Sequence, residues 1–103
     1  MAQDRIKRIA AMEEAMNTSR AAVDQLQDAV SGLVDAMDAI RELSEYYGSQ
    51  LWYKDRGADE RGQLPEDLAR GVLTEDLPYE VLVDAREAAL GALEVATATL
   101  RSL

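Results

Sequence analysis

The sequence predicts an all-α protein in which a long amphipathic N-terminal helix packs antiparallel on a C-terminal helix. Apolar residues recur at three- and four-residue steps in two long stretches, which is the helical period. No proline interrupts residues 4–47, and no segment alternates apolar and polar residues as a strand does. We expect one helical domain over residues 1–103, which comprises a helix at about 4–47, a loop at 48–64, a short helix at about 65–71 and a helix at about 75–102.

The first helix carries an apolar seam, defined here as its heptad a and d positions with Ile9 at a. The twelve seam positions are Ile9, Met12, Met16, Ser19, Val23, Leu26, Val30, Leu33, Met37, Ile40, Ser44 and Tyr47, and all but the two serines are apolar or aromatic. The neighbouring g positions are small (Ala15, Ala22, Ala29 and Ala36) up to Leu43. Small side chains beside a seam allow helices to approach closely, so this face is predicted to pack.

The middle of the chain is predicted to hold an aromatic loop and a short connector helix. Gly48 is placed to stop the first helix, and Gly57 and Gly62 indicate loop. Pro65 followed by two acidic residues is typical of a first helical turn, and this predicts the short helix at about 65–71.

The last helix begins near Thr74 or Asp76, either of which can serve as its N-cap. Pro78 then falls in the first turn, where proline is tolerated. An apolar stripe follows, flanked by alanines: Tyr79, Val83, Leu90, Leu93 and Leu100.

The two long helices differ in predicted length, at about 65 Å and about 43 Å. An antiparallel return of the shorter helix leaves four apolar residues uncovered: Ile6, Ile9, Met12 and Met16. Either the chain bends at residues 17–19 or these residues form an oligomer interface. We favour a homodimer with two-fold symmetry, because a two-helix hairpin buries little apolar surface for a bundle.

Composition excludes several classes of function. The net charge is −9 and the only basic cluster is Arg5, Lys7 and Arg8, so we expect no nucleic-acid binding. Cysteine and histidine are absent, which removes the common nucleophile and metal chemistries, and we predict no catalytic, cofactor-binding or metal-ligating residue. No apolar run is long enough for a membrane, and we expect a cytoplasmic protein. The excess of Arg over Lys and the abundance of Ala are typical of a bacterial source.

The carboxylates of the first helix occupy heptad positions opposite the seam and are interpreted as a solvated face. These residues are Glu14, Asp24, Asp28, Asp35, Asp38, Glu42 and Glu45. An alternative interpretation is that this acidic face docks a basic or nucleic-acid-binding protein. A carboxylate-dependent metal hydrolase is a remote alternative.

Aromatic residues concentrate in residues 46–53, which leaves two interpretations open. In one, the aromatics form a small core over the end of the bundle, together with Leu51 and Leu64. In the other, they bind a partner, because Trp, Tyr and Arg dominate interface hot spots. The candidate partner-binding residues are Tyr46, Tyr47, Trp52, Tyr53, Arg56 and Tyr79.

Five segments together resemble one known family over nearly the whole chain. They are Arg5-Ile-Lys-Arg-Ile9 with Met12-Glu13, Leu43-Ser-Glu-Tyr-Tyr-Gly-Ser49, Trp52-Tyr-Lys-Asp55, Leu64-Pro-Glu-Asp-Leu68, and Arg70-Gly-Val-Leu-Thr-Glu-Asp76 with Tyr79. The series resembles a bacterial domain-of-unknown-function family, number 4298. The resemblance implies a small helical protein, and it supplies no activity, cofactor or site residue that could be transferred to this chain. From the residues, we expect a non-enzymatic protein–protein interaction or scaffold protein, and the alternative is a small acidic regulator or inhibitor.

Overall fold

The chain is all-α, as predicted: 83% of it is helical and it contains no strand. A computed structural model describes all residues, Met1–Leu103. It contains three α-helices, α1 (Ala2–Tyr46), α2 (Gln50–Glu60) and α3 (Asp76–Ser102), and a single 3-10 turn at Gly71–Leu73 between α2 and α3. None of these helices combines the length and the apolar character needed to cross a membrane.

The chain divides into two compact units, Met1–Met37 and Asp38–Leu103. The first unit consists of α1 alone up to Met37, and none of its residues is buried. Every seam position from Ile9 to Met37 is exposed. The apolar surface of this part of the seam therefore remains open.

The predicted loop at 48–64 is wrong for most of its length, because residues 50–60 form α2. Gly48 ends α1 with a φ of +78°, a conformation that favours glycine. The hydroxyl of Ser49 then accepts the backbone N–H of Trp52 at 3.2 Å and caps α2. Burial of Trp52 and this cap outweigh the helix-weakening effect of Gly57, which the sequence interpretation took as a loop signal.

The end of α2 is a Schellman motif at Gly62, whose φ is +68°. The Gln63 N–H donates to the Ala58 carbonyl, and the Gly62 N–H donates to the Asp59 carbonyl, each at 3.0 Å. Two helical carbonyls thereby find donors at the point where the chain leaves the helix.

The predicted short helix at about 65–71 is also wrong, because these residues form turns and only Gly71–Leu73 winds into one 3-10 turn. The guanidinium of Arg70 donates to the Pro65 carbonyl at 2.8 Å and to the Leu68 carbonyl at 3.3 Å. These side-chain bonds take the place of the i, i+4 backbone bonds that would make a helix.

The last helix begins and ends within one residue of its predicted bounds. The Thr74 hydroxyl donates to the Gly71 carbonyl at 2.6 Å and accepts the Leu77 N–H at 3.4 Å, so Thr74 provides the side-chain contact at this end. Pro78 is the third residue of α3, where the missing N–H has no intrahelical partner to lose.

The second unit has a small core built on three buried residues, Trp52, Leu73 and Pro78. Other residues of this unit are half-buried: Ile40 and Leu43 in the last turns of α1, Leu64 in the irregular segment after α2, and Leu82, Val83 and Ala85 in the first turns of α3. Beyond Ala85 every residue of α3 is exposed, including Leu93 and Leu100. The core therefore holds only one end of α3.

Candidate functional site

The first candidate site is the exposed apolar face of α1 within Met1–Met37. Ten large apolar side chains contribute to it, with exposed fractions from 41% at Val23 to 65% at Ile6. They are Ile6, Ile9, Met12, Met16, Val23, Leu26, Val30, Leu33, Val34 and Met37. Eight lie in the seam, while Ile6 and Val34 occupy the adjacent e positions. The four residues predicted as an oligomer interface, Ile6, Ile9, Met12 and Met16, thus all lie on one open face.

This face is larger than an ordinary exposed apolar patch. At the observed exposures the ten side chains present on the order of 1,000 Å², whereas the largest patch on a typical monomer is roughly 300–600 Å². A helix that buries nothing also lacks the tertiary packing that stabilises most protein helices. The first unit therefore combines a large open apolar face with a helix that has no packing of its own.

The second candidate site is the aromatic cluster, defined as Tyr47, Trp52 and Tyr53. The Trp52 ring contacts both tyrosine rings edge to face, with centroids 5.0 Å apart in each pair. Its indole N–H donates to the Val72 carbonyl at 2.9 Å, and the residue is only 3% exposed. Trp52 therefore packs in the interior, in agreement with the interpretation of the aromatics as a small core. It offers no surface to a partner.

Arg56 joins the aromatic cluster to the start of α3. Its guanidinium carbon lies 4.8 Å from the centroid of the Trp52 ring, a cation–π distance. The same guanidinium contacts the Glu75 carboxylate at 3.1 Å. The backbone carbonyl of Glu75 in turn accepts the Tyr47 hydroxyl at 2.9 Å. Tyr47 thus joins the turn after α1 to the residue before α3, and Arg56 joins α2 to the same residue.

Tyr46 is likewise engaged within the chain. Its hydroxyl donates to the Asp55 carboxylate. Burial, followed by this hydrogen bond and the negative charge of Asp55, raises the pKa of Tyr46 to about 12. The phenol therefore stays neutral at physiological pH and links the end of α1 to α2.

Only two of the six predicted partner-binding residues remain open to solvent. Tyr53 is 61% exposed and Tyr79 is 58% exposed. The other four are buried or half-buried in the contacts described above. Sequence reasoning missed Arg70, which pairs with Asp59 at 2.6 Å. No spacing rule identifies that pair, because the two residues lie eleven positions apart across an irregular segment.

An open depression of about 470 Å³ lies between the end of α2 and the start of α3. Four carboxylates line it together with Arg56: Asp59, Glu60, Glu75 and Asp76. Two of the four are already paired, Asp59 with Arg70 and Glu75 with Arg56. Nowhere in the chain do three carboxylates converge in a way that could hold a metal ion.

Comparison with known proteins decides the family. The family described as Domain of unknown function (DUF4298) matches residues 9–95 of the 103-residue chain. The chain belongs to this family. No curated protein and no solved structure matches it.

The DUF4298 match covers both candidate sites almost completely. It begins at Ile9, the first seam residue, and ends at Val95 within the exposed part of α3. All of α2, the aromatic cluster and the Arg70–Asp59 pair fall inside it. Ile6 is the one residue of the exposed apolar face that lies outside.

Proposed function

We propose that this DUF4298 protein is a non-enzymatic protein–protein interaction protein that binds through the exposed apolar face of α1. The observation that carries the proposal is the exposure of every seam residue from Ile9 to Met37 along an unbroken helix. Burying apolar surface is the main favourable term in protein association.

The arrangement of polar groups supports a single binding face. The carboxylates of this part of the helix occupy b, e and f positions, and the seam itself contains no charged residue between Ile9 and Met37. Ser19 is the only polar residue in that stretch of the seam, and its hydroxyl donates to the Ala15 carbonyl at 2.7 Å. Its polar group is therefore already satisfied and can be buried without an unmade hydrogen bond.

The aromatic cluster supports the same function indirectly, by stabilising the second unit. Two of its three residues donate hydrogen bonds to distant backbone carbonyls, Tyr47 to Glu75 and Trp52 to Val72. Tyr53 and Tyr79 remain available as accessory contacts.

Site-specific photo-crosslinking in the source cell tests the proposal. A photoreactive residue replaces Leu26 in the seam, and a matched control replaces Ala21 on the opposite face of the same helix. We expect discrete protein adducts from position 26 and none from position 21. Adducts from neither position would refute the proposal.

The alternative function, a small acidic regulator, predicts the opposite result in this experiment. Its binding surface is the carboxylate face, to which Asp28 and Asp35 contribute. Adducts from position 21 that disappear when Asp28 and Asp35 are both changed to Asn would favour that alternative.

A further inference from the structure

We infer that the occupant of the exposed apolar face is a second copy of the chain, whose α1 lies antiparallel to the first across a two-fold axis near residue 21. This inference rests on the proposed function and names its partner. Four observations support it. They are the distribution of charge along α1, the position of the two apolar residues outside the seam, the alanine row formed by the g positions Ala15, Ala22, Ala29 and Ala36, and the apolar area that the dimer would bury.

Charge along α1 favours an antiparallel second copy. Residues 2–20 carry four basic and three acidic side chains, a net charge of +1, whereas residues 21–37 carry three acidic side chains and no basic one. An antiparallel copy places each basic half beside an acidic half. A parallel copy places the two acidic halves together, and like charges disfavour that orientation.

The pairing of residues in an antiparallel coiled coil then selects a register. Seam a positions face d positions of the other helix, and e positions face e positions. With the axis near residue 21, Ile9 faces Leu33, Met12 faces Val30 and Met16 faces Leu26 of the second copy. Ser19 faces Val23 beside the axis, where its hydroxyl is already bonded within its own helix.

The same register explains the two apolar residues that lie outside the seam. Ile6 and Val34 are both e positions, exposed at 65% and 60%, and this register places them opposite each other. A shift of one heptad in one direction sets Ile6 against Arg41, and a shift in the other direction sets it against Gln27. Only the register with its axis near residue 21 pairs the two apolar side chains.

The alanine row provides a close approach on the other side of the seam. At the g positions Ala15 faces Ala29 of the second copy, and Ala22 faces its own counterpart at the axis. Small residues at facing positions bring helix axes toward about 8 Å. On the e side, Arg20 faces Arg20 of the second copy. Each Arg20 is paired with Asp24 of its own chain at 3.4 Å, which offsets the like charges.

The area is sufficient for a stable dimer. The apolar residues that this register covers remove on the order of 800 Å² per copy from solvent, which is the size of a specific interface. The paired stretch of α1 also ends before the part of the helix that packs in the second unit, where Ile40 and Leu43 are half-buried.

The test measures mass and orientation on the full-length chain. Sedimentation equilibrium at tens of micromolar should give a dimer for the wild type. Leu26→Lys places a lysine at an interior position in each copy and should weaken association roughly a hundredfold or more. The control Gln25→Lys, at an outer c position, adds the same charge and should leave the dimer intact.

Introduced cysteines test the orientation, because the chain has none of its own. A mixture of Ala15→Cys and Ala29→Cys chains should form a mixed disulfide on mild oxidation. Each variant alone should form none, since identical positions lie far apart in the antiparallel register. Disulfide dimers from the single variants, without mixed dimers, would show a parallel pair and overturn the inference.

Hydrogen exchange on the wild type separates failure of this inference from failure of the proposed function. A monomer with unprotected amides over residues 6–37 refutes the second copy and leaves the face open for another protein. A monomer with protected amides there shows that the chain covers its own seam, and this refutes both the inference and the proposed function. A dimer with protection over residues 6–37 that Leu26→Lys removes supports both.

Discussion

Replacing Trp52 by Phe tests the central contact of the second unit. The substitution keeps an aromatic ring in place but deletes the indole N–H, which donates to the Val72 carbonyl at 2.9 Å. It also removes part of a ring that is only 3% exposed. The structure therefore predicts a loss of stability from two separate causes, one polar and one from packing.

The magnitude follows from these two causes. Leaving the Val72 carbonyl without a donor costs about 1 to 3 kcal/mol, and Val72 is partly exposed (39%), so water recovers some of this and the lower end applies. Replacing the two fused rings of the indole by one six-membered ring leaves a small cavity that costs about 1 kcal/mol. The free energy of unfolding should therefore fall by about 2 kcal/mol. That loss is a large share of the roughly 5–15 kcal/mol typical of a domain.

The assay is urea unfolding followed by far-ultraviolet circular dichroism at a fixed protein concentration, since the substitution removes the only tryptophan fluorophore. Tyr53→Phe is the matched control. Tyr53 is 61% exposed, so the loss of its hydroxyl should change stability by about 0.5 kcal/mol or less. A Trp52→Phe protein that is as stable as this control would show that the indole N–H contributes nothing, and the proposed role of the aromatic cluster would fail.

Three further predictions concern single contacts of the second unit. The pKa of Tyr46 is raised above its unfolded value of about 10, so the stability that its neutral phenol confers is fully present below pH 10 and is lost as the pH rises toward 12. Tyr46→Phe should remove this loss of stability in unfolding curves measured between about pH 9 and about pH 12. Arg70→Lys keeps the charge but cannot bond Asp59 and the carbonyls of the 65–68 turn together, and it should destabilise by about 1 kcal/mol with faster proteolysis of that turn; unchanged proteolysis would contradict the role of the guanidinium. Gly48→Ala forces an alanine to a φ of +78° and should lower the melting temperature at a cost of about 1 kcal/mol, whereas Gly32→Ala, inside α1 and with open space around it, should raise the helical content.

The long helices could be predicted from the sequence because their signals are repetitive. The apolar period of α1 extends over many turns, and Gly48 supplies the stop, so the predicted end at about residue 47 differs from the observed Tyr46 by one residue. The same reasoning placed the start of α3 at about residue 75, and the structure begins it at Asp76. In a long periodic segment each turn repeats the same apolar pattern, so many residues independently indicate a helix.

The middle of the chain could not be predicted in the same way, because its structure depends on contacts between distant residues. α2 is eleven residues long with a glycine inside, and its formation depends on a tryptophan that packs against the Leu73 region. The turns at 65–70 depend on Arg70, whose partners are two carbonyls and a carboxylate. Helix propensities depend on each residue and its neighbours in the sequence, so they contain no information about contacts with distant residues.

The candidate sites were predicted unevenly for a related reason. Heptad spacing identifies a face, so the sequence places Ile6, Ile9, Met12 and Met16 together, and all four are exposed in the structure. Whether an aromatic residue is buried or open depends on the surrounding structure, and the sequence left both interpretations of Trp52 standing. Its burial and its hydrogen bond to Val72 resolve that choice for Trp52, while Tyr53 and Tyr79 keep the exposure that partner contact requires.

The two units differ in how their helices can be stable. Asp38–Leu103 has a core of its own, in which Trp52 donates a hydrogen bond and contacts the Tyr47 ring edge to face. Met1–Met37 buries no residue, so its helical conformation must come from propensity alone or from an added partner. Propensity alone is a weak source here, because Asn17, Thr18, Ser19 and Gly32 all disfavour helix relative to alanine. This unit therefore lacks the tertiary packing that stabilises most protein helices.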